Sequence, residues 1–159
     1  MYNRALYSQN QHSLGTIIMI PGELKLYFDG SCLPKNPGGI AGFGWRLCDN
    51  HGVEITTDHG EVCRGPGATN NIAEWSAVRN GLRYLKDQKW SGKIEIYGDS
   101  QLVINQLLGI YKVRKDTLIP YHRECIELLD GLDWSAMWIP REQNEECDRL
   151  SKWSSETIE

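Results

Sequence analysis

The sequence predicts an α/β domain in which helices flank a mixed sheet, on three observations. Three strand-like segments open the regular part of the chain, with the two-residue period of half-buried strands. Two further short strands follow, each separated from its neighbours by helical periodicity, so the element order is βββαβααβα. The chain has 159 residues, 40% hydrophobic and 24% charged, which suits one domain around one core and is not the composition of a disordered chain.

Residues 1–20 precede that pattern. Asn, Gln, Ser and Tyr dominate up to Ser13, and the segment reads as a flexible tail, leaving 21–159 as a single domain. In the first strand Leu24, Leu26 and Phe28 alternate with Lys25, Tyr27 and Asp29. After the loop Pro34-Lys35-Asn36-Pro37-Gly38-Gly39, the second strand runs from Ile40 to Cys48, with Gly42 and Gly44 where another backbone can approach closely. Asp49-Asn50-His51-Gly52 is a turn into a third strand, Val53 to Val62. Thr69, Asn70 and Asn71 are candidate caps of a helix whose Ile72, Trp75, Val78, Leu82 and Leu85 recur on one face. Lys93 to Gly98 is a short strand, and Ser100 caps the next helix. A third helix is expected from about Thr117 to Leu132, a last strand over Trp134 to Ile139, and a last helix from Asn144 through Leu150 and Trp153. Trp75 and Trp138 both fall on inward positions of this pattern.

The bulk numbers exclude several classes. A net charge of −4 argues against a broad basic surface that coats nucleic acid, while leaving room for a local grip on a short stretch of backbone. Five cysteines without a C-x-x-C pair make a zinc site a poor reading and fit reduced thiols in a cytoplasmic protein. No stretch reaches the length of a membrane span, so no membrane partner is expected. His12, His51, His59 and His122 have no metal-ligand spacing.

Four acids stand where the predicted elements can gather them. Asp29 lies in an apolar strand and Asp99 at the end of a strand just before a helix. Glu74 and Asp148 lie in the first turns of helices, where negative charge is favoured. Strand carboxyl ends are where open sheets collect ligands. Crowded carboxylates raise one another's pKa, and hard divalent cations such as Mg²⁺ or Mn²⁺ resolve the repulsion. Two such ions can clamp a phosphodiester for hydrolysis without a protein nucleophile. Taken one at a time, Asp29, Glu74 and Asp148 each also read as ordinary surface or capping acids; for Asp148 that is the better reading, and for Asp29 the weaker, because an acid in an apolar strand followed by Gly-Ser-Cys is locally unusual.

The neighbours decide between these readings. Tyr27-Phe28-Asp29-Gly30-Ser31-Cys32, Thr69-Asn70-Asn71-Ile72-Ala73-Glu74, Tyr97-Gly98-Asp99-Ser100-Gln101-Leu102-Val103 and Asn144-Glu145-Glu146-Cys147-Asp148 resemble, in order, the four active-site motifs of type 1 ribonucleases H. The resemblance covers roughly residues 23–155. It implies a ribonuclease H-like fold with a five-stranded sheet in order 3-2-1-4-5 and strand 2 antiparallel. It also implies an endonuclease cutting the RNA strand of RNA–DNA hybrids with two Mg²⁺ ions, Mn²⁺ being a substitute, to leave 5′-phosphate and 3′-hydroxyl ends. Asp29, Glu74, Asp99 and Asp148 then carry catalysis and hold the metal. Asn36, Asn71 and Gln101 match residues that read the minor groove and the 2′-hydroxyls, and Asn70 and Thr69 match contacts to the DNA strand. Amides both donate and accept, which suits groove edges and the 2′-OH. Helix capping by Asn70-Asn71 and a plain turn role for Asn36 stay open beside these roles. A monomer needing no protein partner is expected.

Two departures from the best-known bacterial members resemble a short-loop branch with archaeal and plant members. The basic handle helix is absent, with only Lys112, Arg114 and Lys115 in the connector, a patch for phosphate or an ordinary solvated stretch. The loop histidine before the last helix is also absent, and Arg141 is the cation placed to substitute for it. A DNA-directed nuclease or recombinase of the same fold, and a hybrid-binding module without activity, are the competing functions.

Overall fold

The computed structural model describes residues 4–7, 17–20 and 22–156. Strands β1 (Arg4–Tyr7) and β2 (Ile17–Ile20) pair antiparallel in a two-stranded sheet of their own. The rest of the segment expected to be a tail lies outside the described residues.

A second sheet holds β3 (Glu23–Leu33), β4 (Ile40–Asp49), β5 (Glu54–Arg64), β6 (Lys93–Gly98) and β7 (Asp133–Trp138), in the order β5-β4-β3-β6-β7. β4 runs antiparallel to both β3 and β5, whereas β6 is parallel to β3 and β7 to β6. Counted from β3, this is order 3-2-1-4-5 with strand 2 antiparallel. The meander closes as its turn residues dictate. The Asp49 carboxylate accepts from the amides of His51 and Val53, and Gly52 takes a left-handed φ of 85°.

Alternation along the strands makes the core. Leu24, Leu26 and Phe28 of β3 lie beside Trp45 and Leu47 of β4 and Ile94 and Ile96 of β6, all buried. α1 (Asn70–Asp87) covers them with Ile72, Trp75, Val78, Leu82 and Leu85, and α3 (Ile119–Leu129) adds Cys125 and Leu129. Fully buried side chains such as Leu26 and Phe28 contribute about 1.5–3 kcal/mol each. On the opposite face of β4 the backbone is bare at Gly42 and Gly44. A Cβ at Gly42 would sit 2.2 Å from the Ser151 carbonyl, and one at Gly44 2.7 Å from Leu150 Cβ. Those two glycines let α4 (Glu145–Ser151) press directly onto the sheet.

Three expectations need correction. The third helix is shorter than 117–132, because Pro120 fixes its first turn and Gly131, with φ 85°, ends it. The last helix is two: α4 stops at Ser151 and α5 (Trp153–Glu156) follows after Lys152. Trp138 is not inward but 44% exposed. Trp134 and Ala136 of β7 do pack against the core, but Trp138 reaches the strand's end, beyond the cover of the helices.

Candidate active site

The carboxyl end of β6, the start of α1 and the middle of β3, where its parallel pairing with β6 ends at Phe28, meet at one point. The hydroxyl of Thr69 caps α1 by accepting from the Ile72 amide, and Ser100 caps α2 (Gln101–Leu107) by accepting from Val103. These caps fix where Glu74 and Asp99 enter. Gly30 brings β3 against α1: a Cβ there would lie 2.3 Å from the Glu74 amide nitrogen. No other residue type allows that approach, so the Asp-Gly pair at 29–30 is a packing requirement of the site.

Carboxylate oxygens of Asp29, Glu74 and Asp99 all lie within 4.8 Å of one another. Asp29 is 4% exposed and Glu74 6%, while Asp99 is half-buried. Burial pushes the Asp29 carboxyl up to about 8, and the charges of Asp99, Glu74 and Asp148 add to it against the opposing Gly30 amide. Burial likewise pushes Glu74 up to about 8. Asp99 adds to that rise, whereas hydrogen bonds from Ser100 and Asn70 and the Arg141 cation oppose it. Asp99 is raised by burial, with Arg141 and Asn144 among the groups working against the rise. Among the described residues, no ion pair reaches these three acids; Arg141 and Lys152 pair with Asp148 instead. Three crowded oxygen donors with no cation in contact form a set suited to a hard divalent cation.

The cleft over them measures about 300 Å³ and is lined by Asp29, Gly30, Asn70, Glu74, Asp99, Trp138 and Arg141. Asp148, on α4, stands outside the three-acid group. Its carboxylate lies 3.0 Å from Lys152 Nζ and 3.7 Å from Arg141 Nη2, with its charge still felt at Asp29 and Asp99. Asn144 holds this edge in place. Its Nδ2 donates to the Phe28 carbonyl at 2.8 Å, tying the loop before α4 to the strand one residue ahead of Asp29. That bond replaces the side-chain cap that Asn144 would otherwise provide to its helix.

A second cavity of about 270 Å³ lies beside the first, lined by Asn36, Pro37, Thr69, Asn71, Lys115, Thr117 and Leu118. The Asn36 side-chain Oδ1 accepts from the Asn70 main-chain N–H at 3.0 Å, which joins the Asn-Pro-Gly loop to the start of α1. Gln101 is exposed on the first turn of α2, two residues beyond Asp99.

Comparison with known proteins places this geometry. A family described as reverse transcriptase-like matches residues 27–154. A ribonuclease HI of Halobacterium salinarum is 37% identical over 131 residues, covering 82% of this chain and 63% of that protein. The chain belongs to the type 1 ribonuclease H family. The match spans somewhat under two thirds of that relative's length. The crystal structure of RNase H1 from the same archaeon superposes with a TM-score of 0.76 at 33% identity, covering 86% of this chain and 100% of that one. LC11-RNase H1, solved in complex with an RNA/DNA hybrid, gives 0.72 at 26% identity over 80% of this chain and 92% of its own.

Within the family frame, the structure gathers Asp29, Glu74, Asn70, Asp99 and Arg141 around one cleft and Asn36, Thr69 and Asn71 around its neighbour. Sequence reasoning missed three residues. Lys152 lies four residues from Asp148, a helical spacing that predicts their pairing. Lys115 looked equally like a solvated connector, and only the fold sets it beside Asn36 and Thr69. Trp138 carried no signal, since alternation assigned it to the core.

Proposed function

We propose that this chain is an endonuclease that hydrolyses the RNA strand of RNA–DNA hybrids, leaving 5′-phosphate and 3′-hydroxyl ends. The observation that carries the reading is the convergence of Asp29, Glu74 and Asp99 within 4.8 Å where the parallel pairing of β3 with β6 ends. Membership of the type 1 ribonuclease H family supports the choice of hybrid as substrate. Asp29, Glu74, Asp99 and Asp148 hold two Mg²⁺ ions in this reading, with Mn²⁺ as the substitute. Such ions, when bound, supply Lewis-acid stabilisation of the phosphoryl and leaving oxygens and a more acidic water.

The remaining work falls to the chain. Burial raises the pKa of Asp29, Glu74 and Asp99, so at these three acids cation binding and proton release are coupled. Asn70 and Ser100 hold Glu74 by hydrogen bonds, and Asn144 fixes the strand that carries Asp29. Asn36, Asn71 and Gln101 read the minor groove and the 2′-hydroxyls, the group that separates RNA from DNA. Thr69 and Asn70 contact the DNA strand, and Lys115 adds a cation beside Thr69 for its phosphate. Arg141 serves as an auxiliary at the cleft mouth. The five free cysteines fit a reducing cytoplasm, where the chain acts as a monomer.

Incubating the purified chain with end-labelled hybrid, duplex DNA and duplex RNA, with and without Mg²⁺, tests the reading. Metal-dependent cleavage of the hybrid's RNA strand is expected, and it is lost in Asp99→Asn. Cleavage of duplex DNA in preference to hybrid would assign the site to a DNA nuclease. We also propose 21–159 as the catalytic domain, so that removing residues 1–20 leaves specific activity nearly unchanged. A truncated chain that folds but does not cut would move that boundary.

A further inference from the structure

Trp138 is the last residue of β7, an edge strand, and pairs in register with Gly98. Its indole N–H donates to the main-chain carbonyl of Asp99 at 3.1 Å, which fixes the orientation of the ring. The ring lines the acid cleft, and it is the one aromatic among the lining residues, which are otherwise carboxylates, an amide, an arginine and a glycine. A large indole left 44% exposed at the edge of a polar cleft forgoes much of the gain of burial. It gives the cleft one flat apolar wall.

A nucleic-acid backbone laid across the cleft has matching parts. Its phosphate belongs with the acids, but the nucleotide on either side of that phosphate carries a base with a π-face and a sugar with an apolar edge. Stacking on an aromatic ring is tolerant of sequence, because every base has a π-face. We propose that Trp138 is the stacking wall for a nucleotide flanking the scissile phosphate and so sets affinity for the strand to be cut. The proposal rests on the hybrid-hydrolysis reading above.

The same hydrogen bond admits a purely structural role, with the indole N–H serving only as a strut for Asp99. Different atoms carry the two roles. Stacking needs the ring plane, whereas the strut needs the N–H. Trp138→Phe keeps a ring and loses the N–H; Trp138→Ala loses both. Full-length wild type and both variants are compared in three measurements: anisotropy with fluorescein-labelled RNA–DNA hybrid in chelator, KM and kcat on hybrid in Mg²⁺, and calorimetric titration with Mn²⁺ alone. Trp138→Phe is expected to bind hybrid within about threefold of wild type, and Trp138→Ala about 5- to 150-fold more weakly, the range for loss of one stacked base. KM follows binding, while kcat and Mn²⁺ affinity hold in both. The proposal is overturned if Trp138→Phe loses as much as Trp138→Ala, if Trp138→Ala binds hybrid like wild type, or if kcat falls with KM unchanged. Circular dichroism checks that the variants fold, and Trp138→Leu, which removes the ring but keeps apolar bulk, takes the place of Trp138→Ala should the latter not fold. A wild-type chain that cuts hybrid beside an unaffected Trp138→Ala removes the stacking wall alone. A wild-type chain that neither binds nor cuts hybrid removes the underlying reading.

Discussion

Asp29 lines the cleft and Asp148 stands outside it, near enough for its charge to be felt at Asp29, yet the fold treats the two charges in opposite ways. Asp29 is buried between β4 and β6, beside two other acids, and among the described residues the Gly30 amide donates to it. Asp148 sits on a short helix with its side chain 24% exposed, and Lys152 and Arg141 already balance it. The first arrangement is unfavourable until a cation arrives, because desolvation and like charge both act against ionisation. The second is favourable without one. The three-acid group is therefore the part whose charge calls for a divalent cation, and Asp148 is a partner whose charge is shared with the protein's own cations.

That contrast predicts unequal losses. Asp29→Asn removes a buried donor that nothing else replaces, so cleavage of hybrid should fall by about 10²–10³-fold or more, as when a preorganised charge-stabilising group is lost. Calorimetric affinity for Mn²⁺ should weaken in the same variant. Asp148→Asn removes a charge that is already paired, and the expected loss is nearer tenfold, or about 1.4 kcal/mol. Equal losses in the two variants would mean that the cations around Asp148 do not offset its charge during turnover.

The buried half also sets how stability responds to pH. In the unfolded chain Asp29 and Glu74 ionise near the ordinary values of 3.8 and 4.5, whereas in the folded chain they hold their protons up to about 8. Their contribution is complete below about pH 4 and is lost as pH rises through about 8, because over that window the unfolded state binds fewer protons. Metal-free protein should therefore melt several degrees lower at pH 8 than at pH 5, and the slope should be shallower in Asp29→Asn. Mg²⁺ should raise the melting temperature more at pH 8, where the acids ionise to take it. A melting temperature that rises across the same window in metal-free protein would contradict the burial argument.

The buried half was also the more legible in sequence. An acid inside an alternating apolar strand, followed by a glycine, is a local anomaly, and the close contact between Gly30 and α1 explains both residues together. Thr69 and Ser100 announced their helices, and the periodicity of α1 gave its buried face residue by residue. The rim was harder to read because its contacts are tertiary. Asn144 looked like an ordinary helix start, but its amide is committed to a carbonyl 116 residues away. Lys115 joined the Asn36 and Thr69 cavity through a turn that no local pattern fixes. Trp138 obeyed the two-residue period and still came out exposed, since that period describes a strand only while other elements cover it.

The smallest expected effect concerns the residue that spans both halves. Arg141 lies on the 3₁₀ turn Arg141–Gln143, with Nη2 3.7 Å from Asp148, and its charge opposes the raised pKa of both Glu74 and Asp99. Its side chain is 73% exposed, so the pairing with Asp148 is worth little to stability, about 0–1 kcal/mol. Exposure at the cleft mouth suits a planar guanidinium that meets a phosphate oxygen when one is present. Arg141→Ala should therefore leave the melting temperature nearly unchanged and lower turnover a few-fold, less than loss of any of the four acids. Where that loss falls identifies the step. A deficit in multiple turnover with single turnover intact places Arg141 at release of the 5′-phosphate product. Equal deficits place it at the cleavage step or at substrate positioning. No deficit in either would leave Arg141 as a surface partner of Asp148, with Lys152 sufficient to balance that acid alone.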